Sequence, residues 1–225
     1  MRIPTAGNAP RKRRLKDRAH RGTIPYVPTT ADAPTIRRLA LGGVVGPAVF
    51  VGAWLIGSLS TSGYSMVDDA ISRLAASGAD ARPLMTAGFV AFGLGVPAFA
   101  FALRDVLGGP AWKSALISGV ATLGVAALPL DISHAIDVAH GAAATLGYVS
   151  ITAVPLLAAA PLSRHGATGA ASASRAAGAL SALCLAATVA GPSHGLFQRI
   201  GLTVGDAWLA AVGVSIATGR LTCEK

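Results

Sequence analysis

The sequence predicts an all-α, polytopic membrane protein: a six-transmembrane-helix bundle with a short amphipathic helix in the first outer loop. Three observations carry that reading. Of 225 residues, 52% are hydrophobic and only 13% charged, where soluble domains carry about 25%. Mean hydropathy is +0.58, far too apolar for a disordered chain. The apolar residues gather into six runs close to the roughly 20 residues that a helix needs to cross the hydrocarbon layer. A closed barrel would show strand-length alternation instead, and none is visible.

Taken in order, residues 1–38 form a basic, Pro-containing arm with Pro4, Pro10, Pro25, Pro28 and Pro34. Such a segment cannot build a core and is expected to be disordered in the cytoplasm. The membrane domain is expected over 39–220, with spans at about 39–60, 83–104, 112–130, 138–162, 174–192 and 200–219, and a cytoplasmic tail over 221–225. The first run follows Arg37-Arg38-Leu39, faintly like a twin-arginine signal. It is too long for a signal core and no A-x-A site follows before Tyr64, so a retained anchor is expected. Small residues four apart predict closely packed faces: Gly42-Gly43 with Gly46, Ala87 with Ala91 and Gly95, Ser174 with Gly178 and Ala182. Pro47, Pro97 and Pro155 fall inside spans, where kinks or local loosening are expected.

Charge sets the orientation. Ten of the nineteen Lys/Arg precede residue 39 and the other nine are scattered singly. The pI of 10.6 therefore reflects a basic arm on an apolar body. Anionic lipid headgroups are its expected partner, and no nucleic acid. With the N-terminus in the cytoplasm, sixteen basic residues lie inside and only Arg73, Arg82 and Arg199 outside. That asymmetry predicts a plasma-membrane protein with both termini cytoplasmic. Cys184 and Cys223 form no disulfide or metal motif.

The informative chemistry lies at the outer face, where Asp68, Asp69, Asp80, Asp131, Asp137, Asp206, His134, His140 and His194 fall. Acids and histidines are costly against lipid, so they should face loops or an internal cavity. In the first outer loop, Met66, Ala70 and Leu74 keep helical spacing, and Ser65 with Asp68 resembles a capping box. A surface amphipathic helix is the expectation. In the second loop Asp131, His134, Asp137 and His140 follow at intervals of three. They are read as weak metal ligands (His134, Asp137 and His140), as a functional Asp–His pair, or as interface polarity. All four can converge only if 131–137 is not helical. In the third loop Gln198 and Arg199 open the last span. Arg199 is read as an anion-binding fork, as a snorkelling side chain or as a partner of Asp131 or Asp206.

These loop residues have a familiar order. Tyr64-Ser65 with Ile71-Ser72-x-Leu74, Gly88-Phe89 with Phe92-Gly93, Pro129-x-Asp131, His140-Gly141 and Gly195-x-x-Gln198-Arg199 together resemble the six-span bacterial membrane family DUF998, a domain of unknown function. The resemblance covers about 40–219. Asp68-Asp69 and Arg73 depart from its pattern. A more distant similarity is to Frag1/DRAM-type membrane proteins. The resemblance implies a bundle with its polar residues on one side, and it implies no reaction.

Three functions follow from these residues. The favoured one is binding of a lipid headgroup or small polar ligand in an outward-facing pocket built from Ser65, Ser72, Asp131, His140, Gln198 and Arg199. The second is an intramembrane Ser/Asp/His or metal-dependent lipid hydrolase or transferase. The third is a ligand-free assembly partner. Neither a CxxCH haem motif nor a GxxxxGK[ST] loop is present, and no cofactor is expected. Oligomeric state is open.

Overall fold

Runs of Ala, Leu, Val and Gly at lipid-spanning length leave the backbone to satisfy itself, which a helix does within one segment. The computed structural model describes residues 33–222. Among them the regular elements are all helical: α1 (Ala33–Ala40), α2 (Gly42–Ser60), α3 (Arg82–Leu107), α4 (Ala111–Ala127), α5 (His134–Arg164), α6 (Thr168–Ala190) and α7 (His194–Ala217), with one 3₁₀ turn at Ile71–Ala75. Five helical segments are long and apolar enough to cross a membrane, α1 and α2 counting as one, and α4 is a shorter apolar helix. Each long helix packs mainly on its neighbours in sequence, and α7 returns against α2. The outward surface is studded with large apolar side chains, Leu59 at 72%, Leu183 at 70% and Val189 at 89% exposure among them.

The helix faces approach closely where glycine replaces a side chain. A Cβ on Gly42 would run into the carbonyl oxygen of Gly95, and one on Gly95 would lie 2.7 Å from the carbonyl oxygen of Gly42. The small-residue faces of α2 and α3 thus meet each other. Pro47, Pro97 and Pro155 all remain inside continuous helices. The ring of Pro97 occupies the space that Gly119 of α4 leaves open.

Several boundaries differ from expectation. Residues 1–32 of the expected arm and 223–225 of the tail lie outside the described residues. The arm is expected to run to residue 38, yet α1 begins at Ala33. Pro34 permits this, because a first-turn residue needs no N–H partner. The fourth span is expected from 138, but α5 starts at His134, where the Ser133 side chain accepts a hydrogen bond from the Ile136 N–H. α6 and α7 each begin six residues before their expected spans.

The larger correction is the first loop, where the amphipathic helix does not form. The capping arrangement exists: Ser65 Oγ donates to Asp68 at 2.9 Å and accepts from the Asp68 N–H at 3.1 Å. No α-helix follows it. Ala70 is extended, and the chain enters the short turn at Ile71–Ala75 with Ile71, Leu74 and Ala75 buried. The carbonyls that a helix would have used are taken by α7 instead, as described next.

Candidate functional site

The loop end of the bundle carries residues 61–81, 128–133 and 191–193. Beneath it lies a cavity of about 60 Å³, room for about four to six waters or the end of a larger molecule. Every helix of the bundle except α1 and α6 contributes to its wall, together with the 3₁₀ turn. The wall is mainly apolar, with Phe50, Phe89, Phe92, Val125, Ile151 and Leu202. Its polar groups are Ser72, Ser118, Thr122, His140, Tyr148 and Gln198, and among the described residues it holds no Asp, Glu, Lys or Arg.

Helix α7 holds the loop over this cavity. Arg199 is buried, and its Nη1 donates to the carbonyl oxygens of Met66 at 2.8 Å, Asp69 at 2.9 Å and Gly195 at 2.9 Å. Its Nη2 donates to the Tyr64 hydroxyl. The guanidinium also sits 5.4 Å from the ring centre of Trp54 and 5.5 Å from that of Tyr64, within cation–π range. The Leu196 N–H reaches the Val67 carbonyl at 2.9 Å. Gly195 lets the strap lie flat, because a Cβ there would run into the Asp69 carbonyl oxygen. Burial raises the Tyr64 phenol above its ordinary value of 10.0, and the adjacent Arg199 charge partly opposes that rise.

Gln198 ties the loop to the cavity. Its Oε1 accepts the buried Ile71 N–H at 2.8 Å, so its amide nitrogen faces and donates to the Tyr148 hydroxyl. His140 is fixed from the other side. Its Nδ1 stands 2.6 Å from the Leu128 carbonyl at the end of α4.

The six expected site residues therefore divide. Ser72, His140 and Gln198 line one cavity. Ser65, Asp131 and Arg199 build its cover. Ser65 closes the turn at the start of the loop, donating its backbone N–H to Asp69 at 2.8 Å. Asp131 adopts a left-handed φ of 65°, pairs with Arg73 at 3.0 Å and donates its N–H to Asp137 at 3.0 Å. Arg199 partners neither Asp131 nor Asp206: its hydrogen bonds go to the loop and to Gly195. Asp206 is buried with both carboxyl oxygens unpartnered among the described residues. His134, Asp137 and His140 do not converge, because α5 is already helical at His134. Among the described residues no three His, Cys, Asp or Glu side chains come together as a metal site.

The family model for DUF998, a protein of unknown function, matches residues 44–215. The chain belongs to the DUF998 family. No curated protein and no solved structure matches it. Six of the residues on which the resemblance rests lie at this end of the bundle: Tyr64 and Arg199 in the cover, Phe89, Phe92, His140 and Gln198 on the wall. Gly88 and Gly93 serve packing, a Cβ at the first lying 2.6 Å from Ala53 and at the second 2.5 Å from Leu123.

Sequence reasoning missed Phe50, Trp54, Ser118, Thr122 and Tyr148. One signal was available for Tyr148. It follows His140 by eight residues, on the same side of a helix, with Ala144 and Gly147 as small residues between them. Nothing local distinguished Ser118 or Thr122 from other small polar residues in apolar runs.

Proposed function

We propose that the protein is a six-span plasma-membrane protein that binds the uncharged polar end of a lipid-soluble ligand beneath its strapped loop. The single observation that carries this is the cavity: apolar walls, a few convergent hydrogen-bonding groups and a cover held by a buried arginine. That composition is typical of ligand sites. The absence of charged residues from its wall narrows the expected polar or headgroup ligand to an uncharged one. Hydrolysis is less well supported, since Ser72 and His140 share the wall while Asp131 sits at the loop surface on Arg73.

Six spans are favoured because α4, at about 26 Å, falls only slightly short of a hydrocarbon layer of roughly 30 Å. The orientation, with the 61–81 loop outside and both termini cytoplasmic, rests on the distribution of Lys and Arg. Surrounding lipids are the partners of the exposed apolar side chains, and the basic arm favours an anionic inner leaflet.

The test is mass spectrometry of small molecules that co-purify with the wild type and with Thr122→Phe, which fills the cavity from α4. A species present in the wild type and lost from a folded Thr122→Phe supports the site. Identical contents in both proteins would remove it.

A further inference from the structure

The cavity wall also specifies the ligand's polar end, if the binding reading above holds. A carbonyl oxygen only accepts hydrogen bonds, so the 2.6 Å contact between His140 and Leu128 O puts the ring hydrogen on Nδ1. In the neutral imidazole Nε2 then carries the lone pair. That atom is buried and has no partner among the described residues. Buried polar atoms are nearly always paired, so an unpaired acceptor on a cavity-lining side chain marks the place of a missing donor.

The rest of the wall says what kind of donor. An ammonium group would meet no carboxylate there, and a phosphate or carboxylate would meet no Lys or Arg. The nearby guanidinium of Arg199 is directed at the loop carbonyls and the Tyr64 hydroxyl. Tyr148 stands about 12 Å further along α5 by helical rise. Its hydroxyl accepts from Gln198 and keeps its own hydrogen for a second oxygen. We infer that the ligand is a membrane-soluble alcohol whose hydroxyl donates to Nε2 of His140.

The full-length protein in phosphatidylcholine nanodiscs tests this with three photoreactive probes of one chain length: a long-chain alcohol, its methyl ether and the matching carboxylic acid. The ether retains the oxygen and loses only the donor. The alcohol is expected to label the cavity saturably, about tenfold more tightly than the ether, the equivalent of one hydrogen bond. The acid should do no better than the ether. His140→Phe should make alcohol and ether equal. His140→Gln, whose amide carries both a donor and an acceptor, should restore part of the difference.

Equal saturable labelling by alcohol and ether in the wild type would overturn the hydroxyl assignment while leaving a ligand site. Preference for the acid would overturn it too, because the ligand's polar end would then be a carboxyl group. The same holds if the alcohol's preference survives in a folded His140→Phe. Absence of saturable labelling by all three would remove both the assignment and the binding function, leaving Nε2 to a bound water.

Discussion

Arg199 shows how much one buried cation can organise without any carboxylate. Its ring stacking and three hydrogen bonds fasten a loop more than 120 positions away in sequence, and a fourth closes on its own helix at Gly195. Arg199→Ala would leave the Met66 and Asp69 carbonyls and the Tyr64 hydroxyl without this donor. A buried polar group left unpaired costs about 1–3 kcal/mol; the Tyr64 hydroxyl keeps its bond to Ala70 and Met66 is exposed, so a loss of about 1–3 kcal/mol is expected, seen as a lower melting temperature and rapid proteolysis within 64–77. Arg199→Lys keeps the charge but loses the fork and should fall between. Tyr64 gives a pH expectation with a definite sign. Its phenol is raised above 10.0 in the folded protein, so the folded state holds its proton more tightly than the unfolded chain. The stability it contributes is complete below pH 10 and declines as pH climbs through the folded value. Ultraviolet difference titration of wild type against Tyr64→Phe should show Tyr64 ionising at higher pH than a free tyrosine, and an earlier transition would contradict the buried contact. Asp206 makes the opposite kind of prediction. Its two unpartnered oxygens mean that Asp206→Val should raise stability, by about 1–2 kcal/mol. A destabilised Asp206→Val would instead reveal a partner bound to that carboxyl.

Among the elements, the contact of α2 with α3 depends on paired glycines. Gly95→Leu places a branched side chain against the backbone of Gly42 and Gly46. Overpacking costs about 1–3 kcal/mol, and with backbone rather than side chain in the way the upper end is expected, measured as a lowered melting temperature. The helices themselves were legible in the sequence, because an apolar run of lipid-crossing length admits few other structures. The small-residue stripes on α2 and α3 were legible for a similar reason, since each states its own packing requirement. The 64–77 loop was misread because Met66, Ala70 and Leu74 satisfy a helical period, while Ile71 and Leu74 enter the interior equally well from a 3₁₀ turn. What decided between the two was Arg199 and Gln198, far away in sequence and invisible to any local pattern. The site was half legible for the same reason. Ser72, His140 and Gln198 were found as polar residues near one face, but only the packed helices separate them from Ser65, Asp131 and Arg199, which hold the cover.

At the scale of the whole molecule, orientation is the property most open to a direct check. With Cys184 and Cys223 replaced, a cysteine at Asp80 should react with an impermeant thiol reagent added to intact cells. One at Ser163 should react only after the membrane is opened. The reverse pattern would invert the topology and place the strapped loop in the cytoplasm. Neighbouring elements also differ in length. By helical rise, α5 with 31 residues reaches about 46 Å and α4 with 17 residues about 26 Å. No single bilayer thickness suits both, and tilt alone cannot reconcile them while they remain packed side by side. In the proposed six-span arrangement the lipid annulus would be thinned beside α4 while the end of α5 stands clear of the hydrocarbon. Such hydrophobic mismatch costs fractions of a kcal/mol per Å, enough to sort a protein towards membrane regions of matching thickness.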